Sequence, residues 1–119
     1  MGIKKKLKQI RDEYVIRQVD GIDLPDFSGG EVKRYRICFR GRVQRVGFRL
    51  EVCQLAGRLG MTGWCKNLEN GDVLAEIQGD PEKIRFLISF MEHLKRIRID
   101  EKIVEELEIL ADETEFSRR

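Results

Sequence analysis

A chain of 119 residues, 41% of them hydrophobic, holds material for one core and not for two. Its 23 basic and 21 acidic residues leave a formal charge of +2, so overall charge favours no class of partner. No run approaches the roughly 18 apolar residues of a membrane-crossing helix, and the early lysines have no apolar stretch behind them, so neither a spanning segment nor a secretory signal is expected. The expected location is cytoplasmic.

In chain order, residues 1–30 read as an N-terminal extension and 31–119 as the globular domain. Ile3, Leu7, Ile10 and Tyr14 recur at helical spacing with Lys4, Lys5, Lys6 and Lys8 off that stripe, which predicts an amphipathic helix over about 3–17. The stripe is expected to dock on the domain or on a second copy, giving a monomer or a dimer through this helix. A mobile tether and a basic surface contact are the other readings. Pro25 and Gly29-Gly30 mark a turn-rich connector, which Ile22, Leu24 and Phe27 could anchor to the domain.

From Lys33 to Arg40, Tyr35, Ile37 and Phe39 alternate with Arg34, Arg36, Cys38 and Arg40, the pattern of a strand with one core face and one wet face. Val52, Leu55, Ala56 and Leu59 then predict a helix over Phe48–Leu59. A strand over Met61–Leu68, a hairpin turn at Glu69-Asn70-Gly71 and a strand over Asp72–Gln78 follow. Asp80-Pro81 supplies an N-cap acid and a proline at the first helical position. The stripe Ile84, Leu87, Ile88, Met91 and Leu94 carries that helix to about Arg96. Ile103–Leu110 reads as a strand, and Glu115-Phe116-Ser117 as a short edge strand. The order predicts an α+β fold of the ferredoxin-like split βαβ type (βαββαβ), an antiparallel sheet with two helices on one face.

The stretch Gly41 to Arg49 is then a strand-to-helix turn, bracketed by glycines and ending with an arginine in the first helical turn. Free N–H groups and the positive end of the helix dipole favour an anion there. A helix over 48–60 carries the chain roughly 18 Å away at about 1.5 Å per residue. The next strand returns it by roughly 20 Å at about 3.3 Å per residue, so Asn67 comes back level with Arg49. An anion-binding arginine and an uncharged amide at one end of a sheet suggest a site that holds a phosphoryl group and aligns a water. The candidate catalytic residues are Arg49 and Asn67, and the candidate phosphate-binding loop is Arg45, Val46, Gly47 and Phe48.

The motif Gly-Arg-Val-Gln-x-Val-Gly-Phe-Arg at 41–49, with Ala56, Leu59-Gly60, Gly63-Trp64, Asn67, Gly71 and Gln78-Gly79, resembles the acylphosphatases, small enzymes that hydrolyse carboxyl-phosphate anhydrides. The resemblance spans about residues 33–118. It implies that Arg49 binds phosphate, that Asn67 positions the attacking water and that the substrate's own phosphate takes the proton. It also implies no metal or other cofactor, a small acyl phosphate as partner and inorganic phosphate as product. One position departs: Arg45 stands where the family usually has glycine, which could distort the loop if the turn needs a positive φ there.

Other residues carry blander readings. Cys38, Cys53 and Cys65 lack metal-ligand spacing and are expected to be free. His93 reads as surface, the late glutamates as a solvated face, and Trp64 as core packing. The rival function is a catalytically weak anion- or RNA-binding module. The wet face of the first strand offers arginines but no aromatic stacking platform, which argues against nucleic acid.

Overall fold

The computed structural model describes residues 2–119. Its elements are α1 (Ile3–Asp20), β1 (Lys33–Arg42), α2 (Phe48–Arg58), β2 (Thr62–Asn67), β3 (Val73–Gly79), α3 (Pro81–Glu92), β4 (Arg98–Leu107) and β5 (Phe116–Arg118). The sheet runs in the order β4-β1-β3-β2-β5. The first four strands pair antiparallel in the split βαβ arrangement, and β5 adds a parallel edge beside β2. The fold is ferredoxin-like α+β, with a mixed sheet once β5 is included.

Period-two burial places Ile37 and Phe39 of β1, Cys65 of β2, and Val73, Ala75 and Ile77 of β3 on the side covered by helices. There they meet Val52, Leu55 and Ala56 of α2 and Ile84, Leu87 and Met91 of α3. The Asp80 side chain accepts from the Glu82 N–H at 2.9 Å, and Pro81 opens α3. Near the end of β1 a bulge falls between Arg40 and Gly41. Gly41 has φ 134°, and a Cβ there would lie 2.1 Å from the Arg98 carbonyl oxygen, so only glycine lets β1 bend there toward the turn.

Four expectations need correction. The stripe Ile3, Leu7, Ile10 and Tyr14 does not dock on its own domain; all four are exposed, and α1 buries Val15 and Val19 there instead. Only the second half of α1 packs into the core, where Arg58 donates to the main-chain oxygens of Val19 and Ile22 at 2.8 and 2.5 Å. α3 stops at Glu92 rather than near Arg96, because the chain must turn to bury Ile97 and to bring Arg96 back toward the Gly41–Arg49 turn. β4 covers Arg98–Leu107, not Ile103–Leu110: it is an outer strand, exposed along almost its whole length, so alternation there has no buried face to mark it.

The fourth correction concerns the face of the sheet away from α2 and α3, which is not simply wet. Arg34 is 1% exposed. It donates to Glu76 Oε1 at 3.1 and 3.0 Å and to Glu113 at 2.7 and 3.1 Å, beneath the segment joining β4 to β5. Gln78 ties that segment down through Leu110, accepting from its N–H and donating to its carbonyl. Trp64 is buried on this same face, outside the main cluster, with the Arg119 guanidinium 4.5 Å above its ring.

Candidate functional site

The bend at residues 43–47 alternates inward and outward side chains. Val43 and Val46 enter the core, so the chain between them arches outward. Gly47, the N-cap of α2, has φ 78° and no side-chain cap, which leaves the first N–H groups of the helix without a side-chain acceptor. Arg45 also takes a left-handed conformation, φ 62°, the one non-glycine residue to do so among the described residues. The turn does need a positive φ at that position, and this chain meets the need with an arginine.

Three side chains hold the bend, Gln44 from within it and Arg96 and Arg11 from distant parts of the chain. Gln44 donates to the carbonyls of Leu68 and Asp72 at 2.7 and 2.8 Å, which binds the turn to the β2–β3 hairpin one residue beyond Asn67. Arg96 donates to the Val46 carbonyl at 2.7 Å and to Glu51 Oε1 at 2.6 Å. Glu51 is fully buried; burial pushes its carboxyl group up from the ordinary range, and the Arg96 guanidinium offsets only part of that. Arg11 of α1 donates to the Arg45 carbonyl at 3.1 Å, and its side chain lies against Gly47, where a Cβ would meet Nε at 3.1 Å.

These restraints leave an open cavity of about 990 Å³ at the end of the sheet. Arg45, Gly47, Phe48, Arg49 and Asn67 all line it, together with Lys4, Leu7, Lys8, Arg11 and Arg118. Arg49 is further oriented by donating to the Arg119 main-chain oxygen at 2.8 Å. Asn67, the last residue of β2, is exposed at the cavity. Val46 does not line it, because its side chain is core and Arg96 holds its carbonyl. Five of the six residues singled out from sequence therefore share one cavity.

What composition and spacing missed is the wall opposite. Lys4, Lys8 and Arg11 stand at i, i+4 and i+7, one face of a helix, but the neighbouring apolar stripe was read as the meaningful one. Gln44 belonged to the motif, yet nothing local says where a turn amide will bond. Glu51 and Arg96 carry no sequence signal as a pair, lying 45 residues apart.

Cys65 lies beneath the site, buried, and burial is the main cause that pushes its thiol up to about 12, with Cys53 adding to it. It stays protonated and is no nucleophile at neutral pH. Among the described residues no three His, Cys, Asp or Glu side chains gather as they would around a metal ion. His93 is exposed, its Nδ1 2.6 Å from the Ser89 carbonyl oxygen, at the end of α3 and off the cavity.

The acylphosphatase family model matches residues 35–118, well over half of the chain. The chain belongs to the acylphosphatase family. An acylphosphatase of Methylococcus capsulatus is 32% identical over 87 residues, which cover 72% of this chain and 95% of the relative. One of Thermococcus kodakarensis is 48% identical over 61 residues, 50% of this chain and 67% of the relative. The crystal structure of acylphosphatase from Bacillus subtilis superposes with a TM-score of 0.67 at 28% identity, covering 75% of this chain and 99% of that one. Membership makes the chain a hydrolase of acyl phosphates. The matched span begins within β1, so α1 and the connector lie outside it.

Proposed function

We propose that the cavity binds the phosphoryl end of an acyl phosphate between the N–H groups of residues 45–48 and the Arg49 guanidinium, and that Asn67 orients the attacking water. The observation that carries this is the convergence of Arg49, the Gly47 helix start and Asn67 on one cavity, with Gln44 fastening the turn to the strand end. The phosphoryl group is dianionic and its carboxylate a good leaving group, so positioning and charge stabilisation supply most of what the reaction needs. The guanidinium fork matches two phosphoryl oxygens, and helix N–H groups match the third.

Water attacks phosphorus in line with the departing oxygen. The phosphorus bond to the acyl oxygen breaks, and its electron pair leaves with the carboxylate. The water's proton passes to a phosphoryl oxygen of the substrate, since an amide can accept and donate hydrogen bonds but is no base. No metal takes part in this scheme, and the protein works in the cytoplasm on small molecules. A nucleic-acid role is disfavoured because the one tryptophan is already covered by Arg119 and Lys66, and Arg34, Arg36 and Arg40 of β1 are engaged with Glu76, Glu113 and Asp72.

Phosphate release from acetyl or benzoyl phosphate tests the scheme, with and without chelator. Arg49→Ala and Asn67→Ala are each expected to lower kcat by roughly 100- to 1000-fold, the usual cost of removing one strong group from such a site, with the native rate unaffected by chelator. Turnover that survives either substitution removes that residue from the scheme, and turnover lost to chelator removes the metal-free mechanism.

A further inference from the structure

The bend and Arg49 already supply what a lone phosphoryl group requires, yet the cavity extends well beyond them. Its volume, about 990 Å³, suits a ligand far larger than phosphate. Six cations line it, Lys4, Lys8, Arg11, Arg45, Arg49 and Arg118, and among the described residues no aspartate or glutamate does, Arg49 alone being met by the Arg119 main-chain oxygen. Arg11 is partly neutralised by Asp12 at 3.0 Å, but among the described residues Lys4 and Lys8 form no ion pair.

The placement of these lysines works against the helix that carries them. Lys4, Lys5 and Lys6 occupy the first turn of α1, where the dipole is positive, and no acidic residue offsets them. Lys4 and Lys8 repel each other one turn apart. An anion in the cavity relieves both penalties. Since Val15 and Val19 are buried, Arg58 holds the end of α1, and Arg11 reaches the Arg45 carbonyl, the lysines are fixed beside the bend rather than carried on a loose tail.

We propose that α1 forms a second anion subsite, and that the preferred substrates are acyl phosphates whose acyl part bears its own carboxylate or phosphate, received by Lys4 and Lys8. This rests on the acyl-phosphate reading above. With the phosphoryl group at the helix start of α2, the acyl part must occupy the rest of a cavity walled by α1. There a terminal anion meets cations that a neutral chain cannot use. The device belongs to this chain's own extension, outside the span matched by the family model.

The test compares succinyl phosphate with butyryl phosphate, of equal carbon number and differing by the terminal carboxylate, in the full chain and in the Lys4→Gln, Lys8→Gln double variant. The full chain should favour succinyl phosphate by roughly tenfold in kcat/KM at low salt, as expected of a few exposed ion pairs. That ratio should fall toward unity in the variant and at high salt. An acyl phosphate with a terminal phosphate ester, run alongside, shows by the larger ratio which anion the subsite prefers. Equal kcat/KM for the pair, or a ratio unchanged in the variant, overturns the proposal. So does equal kcat/KM together with inhibition by a single-stranded oligonucleotide that the variant loses, which would give the lysines to a polyanion. If neither substrate is hydrolysed, it is the acyl-phosphate reading that has failed.

Discussion

Arg45 shows how one residue can carry strain for a site. A left-handed conformation costs a non-glycine residue roughly 1–2 kcal/mol, and Arg45 adopts it with φ 62°. Its carbonyl is held by Arg11, a residue from outside the family span. Replacing Arg45 with glycine should therefore stabilise the fold by about 1 kcal/mol, read as a raised denaturant midpoint at unchanged slope, and should change kcat/KM less than tenfold. A lowered midpoint would mean that the arginine side chain contributes more than its backbone costs. The question of a positive φ was raised by the glycine that the family usually has at this position, and the structure answers it with φ 62°. What holds it was not legible, because Arg11 lies 34 residues away.

At the scale of elements, α1 divides into an anchoring half and a presenting half. Val19 is fully buried, and truncating it to alanine removes two methyl groups, which should cost roughly 2 kcal/mol including the cavity. The loss should be local: amide hydrogen exchange should rise throughout α1, with much smaller changes in β1 and β3. Uniform acceleration in all elements would show that α1 folds as one unit with the sheet. Sequence periodicity found this helix and chose a stripe that does not dock on its own domain. Periodicity identifies an apolar face, whereas docking depends on which part of the helix has a surface opposite it. Helix α2 was legible because every position on its apolar stripe, Val52, Leu55, Ala56 and Leu59, is buried. The boundaries of β4 were not, since an edge strand exposes both faces.

Across the whole molecule the two faces of the sheet are closed by different physics. The helix side is apolar. The other side is sealed by guanidinium–carboxylate contacts around Arg34 and Arg36, which link β1, β3 and the segment before β5. Burial alone would raise the Glu76 pKa, but the Arg36 and Arg34 guanidiniums more than offset it, and the net shift is downward from 4.5. The unfolded chain then binds the proton more tightly than the folded one. The contribution is fully present above about pH 4.5 and is lost as pH falls through the lowered folded value. Glu76→Gln should cost about 2 kcal/mol at pH 7, as hydrogen bonds to charged groups do, and should flatten the acid limb of stability against pH. Urea unfolding from pH 3 to 7 measures both, and an acid limb unaltered by the substitution would assign it to other carboxylates.

Local chemistry wrote the turn, the helix starts and the strand alternation into the sequence, because glycine, proline and period-two patterning act over a few residues and need no distant partner. The return of Asn67 to the level of Arg49 was readable for the same reason, since helix rise and strand rise are fixed by backbone geometry. Tertiary structure alone decided that Arg34 is interior, that Gln44, Arg96 and Arg11 clamp the bend, and that a row of lysines faces the cavity. Each of those outcomes depends on residues far apart in the chain arriving within a few ångströms of one another, and a charged side chain carries no local mark of whether water or a carboxylate will meet it.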